Sequence, residues 1–266
     1  TSQMIELMHC CLDNGITTFD HADIYGGYTT EAAFGNAFAQ SGIARGQLQL
    51  ISKCGIQYQA ESRDNKIKHY DYSKSYIIWS VEESLKNLRT DYLDLLLLHR
   101  PSPLMRADDI AEAIEQLKND GKILDFGVSN FTPVQTDLIQ MKIQVNYNQI
   151  QFSATHLNAM LDGSLDHMQI HNIKPMAWNP LGTVFKANDA QATRVKTWAD
   201  SLALKYGTTT DIILLAWILK HPSGVMPVCG TADKTRIAQL MKATEIELDL
   251  QDWFAIWVES AGTKVP

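Results

Sequence analysis

Residues 92–98 read YLDLLLL, an almost continuous apolar run that is followed directly by His99. Continuous apolar strands are typical of a parallel sheet that is buried on both faces. Short apolar segments alternate with helical patterns on both sides of this run, seven times in all. This alternation predicts right-handed crossovers and a parallel sheet.

The remaining elements follow from hydrophobic periodicity and from Gly, Pro and Asn signals between segments. A helix is predicted near residues 4–12, and a polar segment at 55–72 is predicted as the longest loop and as part of the pocket rim. Strands are predicted at 16–19, 48–52, 92–98, 123–128, 145–151, 173–178 and 225–229. The other helices are predicted at 30–40, 73–88, 110–118, 133–141, 161–171, 192–206, 210–220, 234–243 and 251–260.

Seven βα units behind a leading helix are one strand short of an eightfold barrel. We therefore predict a single (β/α)8 TIM-barrel domain over residues 1–266. The N-terminal hairpin and first barrel strand, a segment of roughly 30 residues, are expected to be absent from this chain. A doubly wound open sheet is the alternative, but it requires a glycine-rich turn after its first strand, and no GxGxxG occurs.

Composition excludes several classes of function. With 45% hydrophobic residues and a net charge of -7, the chain is not disordered. A pI near 5.6 argues against nucleic-acid or anionic-membrane partners. The cysteines at 10, 11, 54 and 229 have neither the spacing of a disulfide framework nor that of a metal site, so we expect no metal. Since no signal peptide is visible either, we expect a cytoplasmic protein. A monomer or small homo-oligomer is expected.

Four polar residues follow successive predicted strands: Asp20 and Tyr25, then Lys53, then His99. Barrel chemistry sits at these carboxyl ends. A lysine cation lowers the pKa of a neighbouring tyrosine, a carboxylate holds the lysine, and a histidine can orient a carbonyl oxygen. The set suits protonation of a carbonyl as hydride arrives. Taken singly, Asp20 or Lys53 is more often part of a structural ion pair, a histidine at a strand end is more often a structural hydrogen bonder, and Tyr25 could be a packed turn residue.

Motifs along the whole chain resemble those of the aldo-keto reductases. They are residues 19–26 (FDHADIYG), 51–53 (ISK), 91–101 (DYLDLLLLHRP), 127–131 (GVSNF), 148–149 (NQ) and 177–182 (AWNPLG). The sequence is most similar to the short-loop bacterial branch of predicted oxidoreductases. The resemblance implies a barrel that binds NADPH across its mouth and reduces aldehydes or ketones. It implies Tyr25 as general acid, Lys53 held by Asp20 to lower the pKa of that tyrosine, and His99 to orient the carbonyl.

The resemblance also implies the cofactor contacts. The carboxamide of the nicotinamide would bind Ser129, Asn130 and Gln149, and Trp178 would stack on its ring. Further contacts would come from Asn179, Leu181, Gly182, Gly230, Thr231, Asp233 and Arg236.

Arg236 matches the arginine near the adenosine 2′-phosphate, whereas Gly230 stands where many relatives have a lysine, so one phosphate contact is expected to be lost. Asp233 is the rival at this position, since an acidic residue beside the ribose favours NADH. Two other functions stay open: a regulatory subunit that binds a nicotinamide cofactor with little turnover, and a truncated barrel that binds nothing.

Overall fold

The computed structural model describes residues 1–266. The chain divides after Asn148 into two units, residues 1–148 and 149–266, which are described separately. The single domain over residues 1–266 stays a prediction.

The first unit contains four parallel strands whose order in the sheet follows the chain. The strands are β1 (Thr18–Asp20), β2 (Gln49–Cys54), β5 (Leu93–Leu98) and β6 (Ile123–Ser129), and β3 (Ile56–Gln57) and β4 (His69–Tyr70) form a separate antiparallel hairpin. The helices are α1 (Ser2–Asp13), α2 (Thr30–Phe38), α3 (Lys74–Leu88), α4 (Ala107–Asn119) and α5 (Pro133–Gln140). All four strands end at the same edge, because they are parallel.

Strand β5 shows why this sequence forms a buried parallel sheet. Five of its leucines are at most 4% exposed, as the continuous apolar run predicts. Helix α5 begins where the chain supplies a side-chain cap. Thr132 Oγ1 accepts from the N–H of Gln135 at 3.3 Å, and the Gln135 amide oxygen accepts from the N–H of Thr132 at 3.0 Å. This capping box, with Pro133 in the first turn, fixes the start of α5.

Strand β7 (Tyr147–Gln151) crosses the boundary between the units. In the second unit, β8 (Lys174–Trp178) pairs with β9 (Met226–Val228) in parallel. Its helices are α6 (Asn158–Leu161), α7 (Ser164–Ile170), α8 (Ala190–Tyr206), α9 (Thr210–Leu219), α10 (Lys234–Leu240) and α11 (Leu250–Ala261).

Helix α9 is buried along its length, from Ile212 to Ile218. No single helix is long and apolar enough to cross a bilayer. Helices α8 and α9 reach that length and composition only as a pair, and they are bent by 92° at the break between them.

Two predicted elements differ from the structure. The predicted loop at 55–72 contains the β3–β4 hairpin. The helix predicted at 161–171 begins later, as α7 at Ser164, because Gly163 adopts the left-handed conformation, with φ of 83°, and separates it from α6, which ends at Leu161. The Asp162 side chain accepts from the N–H of Ser164 at 2.9 Å and starts the second helix.

Candidate active site

A buried ion pair lies at the carboxyl end of β1 and β2. The Lys53 side chain is 0% exposed, and its Nζ lies 2.6 Å from Asp20 Oδ2. The same ammonium donates to the His21 carbonyl at 2.9 Å and to the Tyr25 hydroxyl at 3.3 Å. An ammonium has three N–H donors, and here three oxygens accept hydrogen bonds from it. Parallel pairing of β1 with β2 brings these residues together.

Tyr25 stands on a turn, residues 24–28, between β1 and α2. Its side chain is 38% exposed, and its ring meets the His99 ring edge-on at 5.8 Å between centroids. Gly26 and Gly27 follow with φ of 59° and 67°, a conformation that glycine adopts at little cost. The turn therefore leaves the tyrosine hydroxyl at the edge of the site, between Lys53 and His99.

His99 follows β5 directly, and its N–H donates to the Cys54 carbonyl at 2.9 Å. Burial, then the nearby charges of Lys53, Arg100 and Lys68, lower the pKa of His99 to about 3. The imidazole is therefore neutral at neutral pH. Its Nδ1 is buried and has no hydrogen-bond partner.

Two further carboxyl groups, those of Asp23 and Glu31, lie buried near Lys53. Asp23 is 7% exposed, and its Oδ2 accepts from the Tyr76 hydroxyl at 3.3 Å and from the Ser80 hydroxyl at 3.2 Å. Burial, then the charge of Glu31, raises the pKa of Asp23 to about 7. Burial likewise raises the pKa of Glu31, which accepts from the Ser52 hydroxyl at 2.5 Å. Both carboxyl groups are therefore buried near Lys53 and have raised pKa values.

The end of β6 lies beside His99. Asn130 adopts a left-handed conformation with φ of 60°, and its Nδ2 donates to Ser129 Oγ at 2.8 Å and to the His99 carbonyl at 3.5 Å. Asn148, at the end of the first unit, donates to the Phe131 carbonyl at 2.9 Å, while its Oδ1 is buried and has no partner. Of the predicted cofactor residues, Ser129 and Asn130 thus lie with the four predicted catalytic side chains.

The second unit contains the other predicted cofactor residues. Gln149 is 2% exposed in β7, and Trp178 ends β8. Gly182 adopts a φ of 56°, and a Cβ there would lie 2.0 Å from Thr155 Oγ1. Only glycine fits this close approach. Asn179 is also left-handed, and Leu181 packs against the apolar cluster of Ile212, Leu215 and Ala243.

The predicted phosphate loop precedes α10. Asp233 Oδ1 accepts from the N–H groups of Thr235 at 2.8 Å and Arg236 at 3.2 Å. Thr231 Oγ1 accepts from the N–H of Asp233 at 3.1 Å. The N–H groups that start this helix are therefore already bonded to Asp233. The exposed Arg236 side chain is a cationic group at the start of this helix, as is the exposed Lys234, and Gly230 is exposed before them.

Sequence reasoning missed three residues of this region. Asp23 lies inside the motif at 19–26, two positions before Tyr25. A carboxyl group so near the tyrosine could have been identified from the sequence as part of the site. Tyr58 and Arg63 lie in the segment 55–72, which has no hydrophobic period and gave no signal. Their contacts with the turn at residues 24–28 are visible only in the fold.

Residues 1–257 match the family model described as the aldo/keto reductase family. An uncharacterized oxidoreductase, YcsN, of Bacillus subtilis is 44% identical over 100% of this chain and 90% of its own length. A 6-dehydroglucose reductase of Agrobacterium fabrum is 36% identical, over 97% and 88% of the two chains.

The fold of this chain is similar to that of a solved aldo/keto reductase structure. The aldo/keto reductase of Klebsiella pneumoniae in complex with NADP and acetate has a TM-score of 0.80 and 25% identity, over 96% of this chain and 84% of that one. The fold class predicted from the sequence, that of the aldo-keto reductase barrels, is confirmed by this match.

Proposed function

The chain belongs to the aldo/keto reductase family, and we propose that it reduces an aldehyde or ketone to the alcohol with a hydride from NADPH, with Tyr25 as the proton donor. The observation that carries the proposal is the cluster in which Lys53 Nζ joins Asp20 Oδ2 at 2.6 Å and the Tyr25 hydroxyl at 3.3 Å. The edge-on contact of Tyr25 with His99 completes the cluster.

The proton comes from the Tyr25 hydroxyl. When a hydride reaches the carbonyl carbon, the oxygen gains negative charge and takes a proton from a nearby acid. The Lys53 ammonium already donates to the tyrosine oxygen, so it stabilises the phenolate that remains. Asp20 keeps this cation buried and in place at 2.6 Å. Tyr25 is 38% exposed, which leaves room for a small substrate to reach this residue.

His99 orients the carbonyl oxygen. Because its pKa lies at about 3, the ring is neutral and carries a single N–H. Its Nδ1 is buried without a partner, so Nε2 is the nitrogen suited to donate to the substrate. A neutral donor holds the oxygen without competing with Tyr25 for the role of acid.

The residues of each unit suit the groups of a nicotinamide cofactor, which supplies the hydride when bound. In the first unit, the Ser129 hydroxyl and the Asn130 amide can both donate to and accept from a carboxamide, and Asn130 adjoins His99 at 3.5 Å. In the second unit, the exposed segment at the start of α10 supplies the cationic group of Arg236. The Arg236 guanidinium suits a 2′-phosphate, which favours NADPH over NADH.

The test is turnover by the purified protein. NADPH consumption is followed with a panel of small aldehydes, ketones and oxidised hexoses, the last chosen because the Agrobacterium fabrum relative is a 6-dehydroglucose reductase. We expect one carbonyl class to be reduced with NADPH and to give the alcohol. Tight binding of NADPH with no turnover of any member would contradict the proposal and favour a regulatory subunit.

A further inference from the structure

The turn that carries Tyr25 has an unusual backbone. After Tyr25, three successive residues adopt positive φ: Gly26 at 59°, Gly27 at 67° and Tyr28 at 69°. The two glycines accept this conformation freely, whereas a left-handed tyrosine is uncommon and persists only where its surroundings hold it. The position of Tyr25 therefore depends on contacts from outside the turn.

Tyr58, in the segment between β3 and β4, makes two of these contacts. Its hydroxyl donates to the Ile24 carbonyl at 2.6 Å, and its N–H donates to the Tyr28 hydroxyl at 3.2 Å. The rings of Tyr58 and Tyr28 lie 5.4 Å apart. The Ile24 carbonyl belongs to the peptide unit that joins Tyr25, so the first bond fixes the backbone on the N-terminal side of the acid.

Arg63 holds the other end of the turn. Its guanidinium carbon lies 4.5 Å from the centroid of the Tyr28 ring and 4.6 Å from that of Trp79, on α3. The planar cation is therefore sandwiched between two aromatic faces. Its Nε is buried and has no hydrogen-bond partner. The stacking, rather than a hydrogen bond at Nε, joins Tyr28 to the helix.

We propose that Tyr58 and Arg63 are positioning residues that clamp the turn at residues 24–28 and so keep the Tyr25 hydroxyl within reach of Lys53 and beside His99. The inference rests on the proposed function. The bond from Lys53 Nζ to Tyr25 is 3.3 Å long, at the far end of hydrogen-bond range. A small displacement of the turn breaks it, and a misplacement of about 1 Å can reduce turnover by roughly a hundredfold.

The test compares Tyr58→Phe and Arg63→Met with Tyr70→Phe. The control removes a hydroxyl from the same segment, in β4, where that group makes no hydrogen bond. In the first two variants we expect kcat to fall roughly tenfold, with little change in the KM for the carbonyl or the Kd for NADPH. Hydrogen exchange should become faster at the amides of Tyr28 and Thr29, which donate within the turn. Tyr70→Phe should match the wild type.

Unchanged exchange in the turn of both variants would overturn the inference, whether or not the wild type reduces carbonyls. Faster hydrogen exchange in the turn of these two variants with an unchanged kcat would show that the clamp holds the turn but does not support turnover, which would overturn the catalytic part of the inference. A fall in thermal stability common to all three variants, with kcat preserved, would point to a merely structural role. A wild type that binds NADPH and reduces no carbonyl refutes the proposed function instead, and the exchange data keep the two failures apart.

Discussion

Replacing Lys53 with Met removes the cation of the site and keeps most of the volume of its side chain. The Lys53 side chain is 0% exposed and that of Asp20 14% exposed, with 2.6 Å between Nζ and Oδ2. Loss of one partner leaves the other charge buried without its counterion, which costs about 3–5 kcal/mol. The His21 carbonyl also loses its donor at 2.9 Å. We therefore expect the free energy of unfolding to fall by about 3–5 kcal/mol.

Denaturant unfolding of matched variants measures this loss. Lys74→Met is the control, because the Lys74–Glu112 pair spans 3.2 Å with side chains 41% and 62% exposed. An exposed pair of that kind contributes less than about 1 kcal/mol. Adding Asp20→Asn to Lys53→Met removes the buried charge, so the double variant should be more stable than the single one.

The same variant tests the chemistry. The ammonium donates to the oxygen of the acid, and a hydrogen bond to a charged group contributes about 1.5–3 kcal/mol. Carbonyl reduction by Lys53→Met should therefore slow by roughly 10- to 150-fold, with the Kd for NADPH nearly unchanged. A folded variant with wild-type kcat, or one that loses no more stability than Lys74→Met, would refute the reasoning.

Three further predictions follow from single contacts. Arg236→Ala should weaken the binding of NADPH by roughly ten- to a hundredfold and leave the binding of NADH unchanged, as measured by equilibrium titration. Equal affinity of the wild type for both cofactors would contradict this. Gly182→Ala should destabilise the fold more than Gly224→Ala in denaturant unfolding, since both residues have positive φ but only the first Cβ meets a neighbour within 4 Å. Burial lowers the pKa of His21 from 6.5 to about 4, so the unfolded chain binds a proton that the folded chain does not. Stability should therefore fall as pH drops from about 6.5 to 4, and His21→Gln should flatten that slope by up to about 1.4 kcal/mol per pH unit; an identical slope would refute the assignment.

Chain order made much of the site predictable. Parallel strands bring their carboxyl ends to one edge, so Asp20, Lys53 and His99 could be grouped from their positions after apolar segments. Strand β5 could be predicted because a strand that is buried on both faces requires a continuous apolar run, and its leucines form one. The barrel class followed from the alternation, and the resemblance supplied the roles.

Contacts that depend on side-chain packing could not be predicted. Nothing in the polar segment 55–72 indicates that Tyr58 reaches the Ile24 carbonyl or that Arg63 stacks on Tyr28. The role of Asp233 was also unpredictable, since an acidic residue before a helix can face a ribose or cap the helix. In the structure it accepts from two N–H groups at the start of α10 and caps it.

The proton donor is the centre of the account, and Tyr25→Phe tests it most directly. The ring stays against His99 at its edge, and only the hydroxyl that Lys53 contacts at 3.3 Å is lost. NADPH should bind with an unchanged Kd, while kcat for the best carbonyl substrate should fall by roughly a hundredfold or more, the range for a lost general acid. A Tyr25→Phe variant that binds NADPH and reduces the carbonyl at the wild-type rate would contradict the account.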